Sequence, residues 1–372
     1  MKIILVNSLS NGGGERIAYN IANELSLNEK IILVSLSDDL FYVNQEENVR
    51  DNFNIIVLHR FPIFSILFYI FQLRKLIIEN NVKLVQSHLY FSNYINILTK
   101  VLFGLKNVKF QIVNHGDPLR YKYTNIKGFI NRVLIHFLYP KSDSIVAISD
   151  GMKFNLMKIL KNNNKIIKVN NPYKINNIVS SSCHKIDLKL DLPSKYYVTM
   201  GRLIPLKKIH LILDAVHKIK FNLVIIGDGP DLELLKNIVR EYKIESYVYF
   251  VGNQKNPFPI LKKAVAFIGA SESEGFPNAI IESLACSTPV IYSDCVSGPR
   301  EILDYDIISY SEMNIEVTPC GILYPVGDIN ALCHAIYFID SNSNVYNFLK
   351  SNCYSRSKMF DSSIIIPEYF DL

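Results

Sequence analysis

An apolar run that ends in consecutive glycines opens the chain, and few folds can accommodate that start. Met1 to Asn7 reads as a strand, Gly12-Gly13-Gly14 as a turn, the residues through about Leu25 as a helix, and Lys30–Ser35 as a second strand. A strand, glycine loop, helix and strand in that order commit the opening to an α/β layer with parallel strands. Further strands are predicted at Ile55–Leu58, Leu84–Ser87, Lys109–Val113, Ser144–Ile148 and Ile166–Val169, and Asn170-Asn171-Pro172 closes this half. The alternation then restarts. Tyr197–Met200 runs into Gly201, Ile209–Ile219 is helical, and Asn222–Ile226 ends at Gly227-Asp228-Gly229. Short strands follow at Tyr247–Val251, Ala264–Ile268, Val290–Ile291 and Gly321–Leu323. The expected class is α/β with two doubly wound domains, over 1–172 and 196–350, joined by a polar linker at 173–195 and followed by a C-terminal segment at 351–372.

Length and composition agree with two such domains. Apolar residues make up 49% of the 372, enough for two cores and against intrinsic disorder. Six scattered cysteines form no Cys-x-x-Cys pair, so reduced thiols are expected rather than zinc or disulfides. Met1 to Asn7 is too short before its glycines to act as a secretory signal, which points to a cytoplasmic protein. Charge is uneven: residues 1–175 carry 22 Lys and Arg against 12 Asp and Glu, and the remainder carries 18 against 22. A basic first half is expected to face something anionic. No nucleic-acid module is present, which leaves the inner face of a membrane as the favoured surface.

The most specific chemistry lies in Glu274-Gly275-Phe276-Pro277-Asn278-Ala279-Ile280-Ile281-Glu282. One carboxylate stands in a loop, a tight turn follows, and a second carboxylate lies inside the next helix. Pro277 suits the first helical position, where its missing N–H costs nothing. The unpaired N–H groups near Asn278 and the helix dipole would favour a phosphate, and Glu282 could accept hydrogen bonds from a ribose. Arg202 and Lys207 follow a strand directly, where ligands of α/β proteins gather. A guanidinium can grip two phosphate oxygens, and an ammonium adds a movable charge. Together they could stabilise a diphosphate leaving group without a metal. Gly13 and Gly14 allow close approach of backbone to a ligand, and Gly252-Asn253 after a strand is a further candidate contact.

The ordered set of motifs resembles retaining glycosyltransferases of the GT-B fold, family 4, of the bacterial surface-polysaccharide type. The likeness runs from Gly12-Gly13-Gly14-Glu15-Arg16 through Gly201-Arg202-Leu203 with Lys207, Gly227-Asp228-Gly229-Pro230 and the two-glutamate stretch. It continues to Cys286-Ser287-Thr288-Pro289 and Ser297-Gly298-Pro299-Arg300-Glu301-Ile302-Leu303. The resemblance implies two Rossmann-like domains facing a central cleft, with a last helix near Arg356, Phe360 and Asp361 crossing back to the first. It implies transfer of a hexose or N-acetylhexosamine from a nucleotide diphosphate sugar, with UDP as carrier, to a lipid-linked or glycan acceptor. By the same resemblance Glu274 meets the sugar, His115 meets its outer hydroxyl or backs the reacting centre, and attack occurs on the front face with retention. The donor site would comprise Arg202, Lys207, Gly252, Asn253, Gly275, Phe276, Pro277, Asn278 and Glu282, beside Gly13 and Gly14; no metal or cofactor is required. Two departures stand out: Lys208 and Ser287 occupy positions where glycine is usual.

Two further stretches invite a membrane reading. Phe61–Leu73 is strongly apolar but too short to span a bilayer, and is either a buried helix or a lipid-facing one. Residues 120–141 interleave Arg120, Lys122, Lys127, Arg132 and Lys141 with Tyr121, Tyr123, Phe129 and Phe137, as an interfacial contact would. A nicotinamide-dependent oxidoreductase is the rival enzyme, since Asp38-Asp39 imitates a ribose-binding acid. Asn11-Gly12-Gly13-Gly14-Glu15-Arg16 nevertheless lacks the Gly-x-Gly-x-x-Gly spacing. A non-catalytic nucleotide-sugar-binding protein is the other rival.

Overall fold

The computed structural model describes residues 1–10, 12–41, 51–58, 65–120, 126–161, 163–186, 188, 190–303 and 314–370. The chain divides into two compact units, Met1–Tyr173 with Ser362–Leu372, and Lys174–Asp361.

The first unit is built on seven parallel strands: β1 Lys2–Val6, β2 Ile31–Ser35, β3 Phe53–Val57, β4 Leu84–His88, β5 Lys109–Asn114, β6 Ser144–Ala147 and β7 Ile166–Lys168. Their order is β3-β2-β1-β4-β5-β6-β7, so the winding reverses between β1 and β4. Helices cover both faces, which is why β1 is a continuous apolar run with Ile3, Ile4, Leu5 and Val6 fully buried. The second unit repeats the plan with β8 Tyr197–Met200, β9 Leu223–Ile226, β10 Val248–Gly252, β11 Phe267–Gly269, β12 Val290–Ser293, β13 Glu316–Thr318 and β14 Gly321–Tyr324. Here the order is β10-β9-β8-β11-β12-β14-β13, with the reversal between β8 and β11. Among the described residues only the β13–β14 pair is antiparallel. Ligands of such sheets bind beyond the carboxyl ends of the strands at the reversal.

Several expectations need amendment. Residues 173–195 are not a plain linker: Ile175–Ser182 is a helix, with Ile175 and Ile178 buried, that packs against the helices Phe258–Lys263 and Asn278–Ala285 of the second unit. The segment 351–372 does not cross back as one piece. The helix Ser343–Lys358 stays in the second unit, where buried Arg356 donates to the carbonyls of Ile302 and Glu301, each at 2.7 Å. From Ser362 the chain belongs to the first unit, beginning with a 2.8 Å hydrogen bond from its N–H to the Tyr173 carbonyl. Pro277 precedes the helix rather than opening it, with ψ of 102°. Strand β13 has no counterpart in the sequence reading. Of Phe61–Leu73, residues 61–64 lie outside the described residues. The remainder falls in the helix Ser65–Glu79, which buries Tyr69, Ile70, Leu73 and Ile77. All six cysteines are free thiols, five of them buried.

Candidate active site

The carboxyl ends of β8 and β11 bring two of the expected charges together. Lys207, in the short turn Pro205–Lys207, places Nζ 2.6 Å from Glu274 Oε1, and the two side chains are only 27% and 10% exposed. Tyr292 on β12 donates its hydroxyl to the same carboxylate oxygen at 2.8 Å, and Ser271 Oγ lies 3.1 Å from that hydroxyl. Burial and the adjacent Glu274 charge raise the Tyr292 phenol far above its ordinary range, so it remains a donor. For Glu274, burial acts to raise the carboxyl, but the Lys207 charge and the hydrogen bonds from Lys207, Ser271 and Tyr292 outweigh it. The net result is a carboxyl held below its usual value, ionised and immobilised. Arg202, between β8 and the turn Pro205–Lys207, is exposed and makes no hydrogen bond or ion pair with any described residue.

Glycine makes this arrangement possible at specific places. A Cβ on Gly269 would stand 2.0 Å from the Tyr292 ring, so the phenol crosses β11 only because that residue has no side chain. A Cβ on Gly227, with φ of 133°, would stand 2.0 Å from the Gly201 carbonyl oxygen. Leu203 donates its N–H to the Asp228 carbonyl at 2.9 Å, and Asp231 returns one to Leu203 at 3.0 Å. The Gly227-Asp228-Gly229 turn is thus a buttress for the backbone that carries Arg202. Gly298 does the same for the Glu274 loop: Ser297 Oγ donates to the Gly275 carbonyl at 3.1 Å, and a Cβ on Gly298 would meet Pro277 Cδ at 2.5 Å. Arg300 closes the region structurally, with 2.7 Å ion pairs to Asp294 and Glu316.

The other expected residues divide. Glu282 lies in the helix Asn278–Ala285 and is 4% exposed, and Asn278 begins that helix. Phe276 turns its ring inward, 5.5 Å from Phe360, so only its backbone and that of Gly275 can serve a ligand. Gly252 ends β10 and Asn253 follows it, both exposed, and the Gly252 carbonyl accepts from Gly227 at 2.9 Å. Lys208 and Ser287, which stand where glycine is usual, both adopt left-handed backbone, with φ of 48° and 57°.

In the first unit Gly13 begins the helix Gly13–Leu25. A Cβ on Gly14 would stand 2.9 Å from Leu89 Cδ2 and 3.2 Å from His115 Cγ, so that glycine permits close approach of the helix to the histidine. His115 Nε2 lies 2.8 Å from His88 Nδ1. Burial pushes His115 down to about 4 and His88 lower than usual too, so both are neutral near pH 7. Between them in the chain sits Leu89, held at φ of 74°, a costly conformation for a branched residue. Sequence reading did not find Tyr292, Ser271 or His88. Tyr292 lies in the buried strand β12, Ser271 just past β11 and His88 at the end of β4, and none of the three belongs to a motif quoted above.

Comparison with known proteins agrees with this architecture. The profile described as Glycosyltransferase Family 4 matches residues 11–175, and that described as Glycosyl transferases group 1 matches residues 184–355. The chain belongs to the family 4 glycosyltransferases of the GT-B fold. It is 28% identical over 368 residues, 96% of its length and 95% of the other, to the N-acetylgalactosamine-N,N'-diacetylbacillosaminyl-diphospho-undecaprenol 4-alpha-N-acetylgalactosaminyltransferase of Campylobacter jejuni. It is 30% identical over 169 residues, 44% of its length and 46% of the other, to the lipopolysaccharide 1,6-galactosyltransferase of Salmonella typhimurium. Among solved structures, Anabaena Alr3699/HepE in complex with UDP superposes with a TM-score of 0.79 at 15% identity, covering 100% of this chain and 98% of that one. Sucrose-phosphate synthase from Thermosynechococcus elongatus gives 0.82 at 17% identity, covering 100% and 98%.

Proposed function

We propose that this glycosyltransferase moves a hexose or N-acetylhexosamine from a UDP-linked donor to a hydroxyl of a lipid-linked or polysaccharide acceptor, with retention and without a metal ion. The observation that carries the reading is the Lys207–Glu274 pair at the sheet reversal of the second unit, with Arg202 exposed just past β8 and engaged with no described residue. Charge grows on the diphosphate as the sugar–phosphate bond breaks, and preorganised cations stabilise it more in the transition state than before. Arg202 supplies the fork, Lys207 the point charge, and the start of the helix Asn278–Ala285 adds its dipole. Glu274, ionised and fixed by Tyr292, accepts hydrogen bonds from sugar hydroxyls, and Glu282 takes the ribose. UDP in the Anabaena structure, and the diphospho-undecaprenol and lipopolysaccharide of the relatives' names, support the donor and acceptor classes. A screen of nucleotide sugars for turnover in the presence of EDTA tests the reading. Transfer of a hexose with the α-configuration kept, insensitive to EDTA, is expected. Hydride transfer to NAD, or donor binding with no turnover on any acceptor, would instead favour the rival classes.

A peripheral membrane contact belongs to the same reading. No helix among the described residues is long and apolar enough to cross a bilayer. The helix Ile126–Leu138 nevertheless exposes Ile126, Phe129, Ile130, Val133 and Phe137, at helical spacing, between 36% and 79%. Tyr121, Lys122 and Tyr123 of the expected patch lie outside the described residues. Such a stripe in the basic half of the chain suits the inner face of an anionic membrane. Sedimentation with phosphatidylglycerol vesicles, lost in Phe129→Ser/Phe137→Ser, is the expected result.

A further inference from the structure

One face of the first sheet buries a row of polar side chains for which the proposed reaction has no use. Gln86 and His88 alternate on β4, and Gln111 is the register partner of Gln86 on β5, so all three share a face. All are fully buried. Gln111 Nε2 donates to the backbone carbonyl of Tyr369, 3.1 Å away in the helix Ser362–Phe370. Gln86 Nε2 donates to Gln111 Oε1. Gln86 Oε1 lies 2.9 Å from His88 Nε2, and His88 Nδ1 lies 2.8 Å from His115 Nε2, with the two rings inclined by 26°.

The direction of every bond in this row follows from one end. A backbone carbonyl can only accept, so Gln111 must turn its NH2 to Tyr369 and its oxygen to Gln86. Gln86 must answer with its own NH2, which leaves its oxygen facing His88. That oxygen requires a donor, so His88 carries its proton on Nε2 and a lone pair on Nδ1. The lone pair in turn takes the Nε2–H of His115. His115 Nδ1 is therefore left bare, and it is a buried atom with no hydrogen-bond partner among the described residues.

We propose that Gln111, Gln86 and His88 are positioning residues that lock His115 in its neutral Nε2–H tautomer, so that its Nδ1 can only accept a hydrogen bond. The group it serves is then a hydroxyl, as on a sugar, and not a phosphate or carbonyl oxygen. This inference rests on His115 belonging to the substrate site, but the tautomer is readable in the protein alone. The full chain labelled with 15N-histidine is observed by NMR at neutral pH, with His115 and His88 assigned by their loss in His115→Gln and His88→Asn. Both rings are expected as Nε2–H tautomers; an Nδ1–H or doubly protonated His115 overturns the lock. Gln86→Lys reverses the row, because an ammonium only donates: it keeps the bond to Gln111 Oε1, makes His88 Nε2 an acceptor with the proton on Nδ1, and so drives the proton of His115 to Nδ1. Turnover is expected to fall by roughly ten-fold or more as that signature appears. Reversal of the tautomer with turnover unchanged would overturn the role given to Nδ1. If Gln86→Lys does not fold, the wild-type spectrum decides the lock. A protein with the expected tautomers but no transferase activity would overturn the proposed reaction and leave the lock standing.

Discussion

Tyr292 is the residue whose removal is most informative. Its hydroxyl is one of the donors that keep Glu274 ionised, and Tyr292→Phe deletes that donor with little change in shape. A hydrogen bond to a charged group contributes about 1.5–3 kcal/mol, so kcat is expected to fall roughly ten-fold or more. The pH profile carries the sign. Because the Glu274 carboxyl is held below its ordinary value, the benefit of its ionised form is present above the normal carboxylate range and is lost as pH falls through the depressed value. Tyr292→Phe should move the acid limb of kcat to higher pH; an unmoved limb would separate Glu274 from the reaction. Arg202 and Lys207 make a contrasting pair. Arg202→Ala removes a cation engaged with no described residue, so isothermal titration with UDP should show weaker binding while thermal stability holds. Lys207→Ala should weaken UDP binding and also release the Glu274 carboxyl, so it alone costs stability as well. Equal stability in the two variants would contradict the ion pair.

Turns decide how the elements present these groups. The helix Asn278–Ala285 ends in a Schellman motif, in which Ser287 N–H bonds to the Leu284 carbonyl and Thr288 N–H to the Ser283 carbonyl, each at 2.9 Å. Ser287 occupies the left-handed position that glycine fills at least cost, so Ser287→Gly should raise unfolding free energy by about 1 kcal/mol in urea titration. A decrease would mean that the serine side chain makes a compensating contact. Gly227→Ala is the opposite case. Its Cβ would collide with backbone at 2.0 Å in a conformation that alanine avoids, so a loss of about 3 kcal/mol is expected, together with weaker UDP binding as the Arg202 backbone shifts. Legibility in the sequence follows the same physics. Doubly covered parallel strands read as short, mainly apolar runs and the helices between them as apolar residues at helical spacing, so Tyr197–Met200 and Ile209–Ile219 fall where expected. The helix Ile175–Ser182 was hidden by its serines and asparagines, and β13 by having only three residues at a sheet edge. Lys207 and Glu274 were legible as members of an ordered motif. Tyr292 was not, because a tyrosine in a buried strand looks like core until Gly269 is seen beneath it.

At the scale of the molecule, the first unit is discontinuous. Its helix Ser362–Phe370 buries Ile365, Ile366 and Tyr369, and it holds the carbonyl that anchors Gln111. Deleting residues 362–372 uncovers those contacts, at about 1.5–3 kcal/mol for each large side chain. Hydrogen exchange should then show protection lost across β1, β4 and β5 while β8, β9 and β11 keep theirs; uniform loss in both units would contradict their independence. The same discontinuity sets a schedule for biosynthesis. A ribosome makes β1 to β7 first, then roughly 190 residues of the other unit, before the helix that completes the first unit emerges. At about 5–20 residues per second that delay lasts roughly 10 to 40 s. The half begun earliest is finished last, and through that interval the surface that Ile365, Ile366 and Tyr369 will cover stays bare.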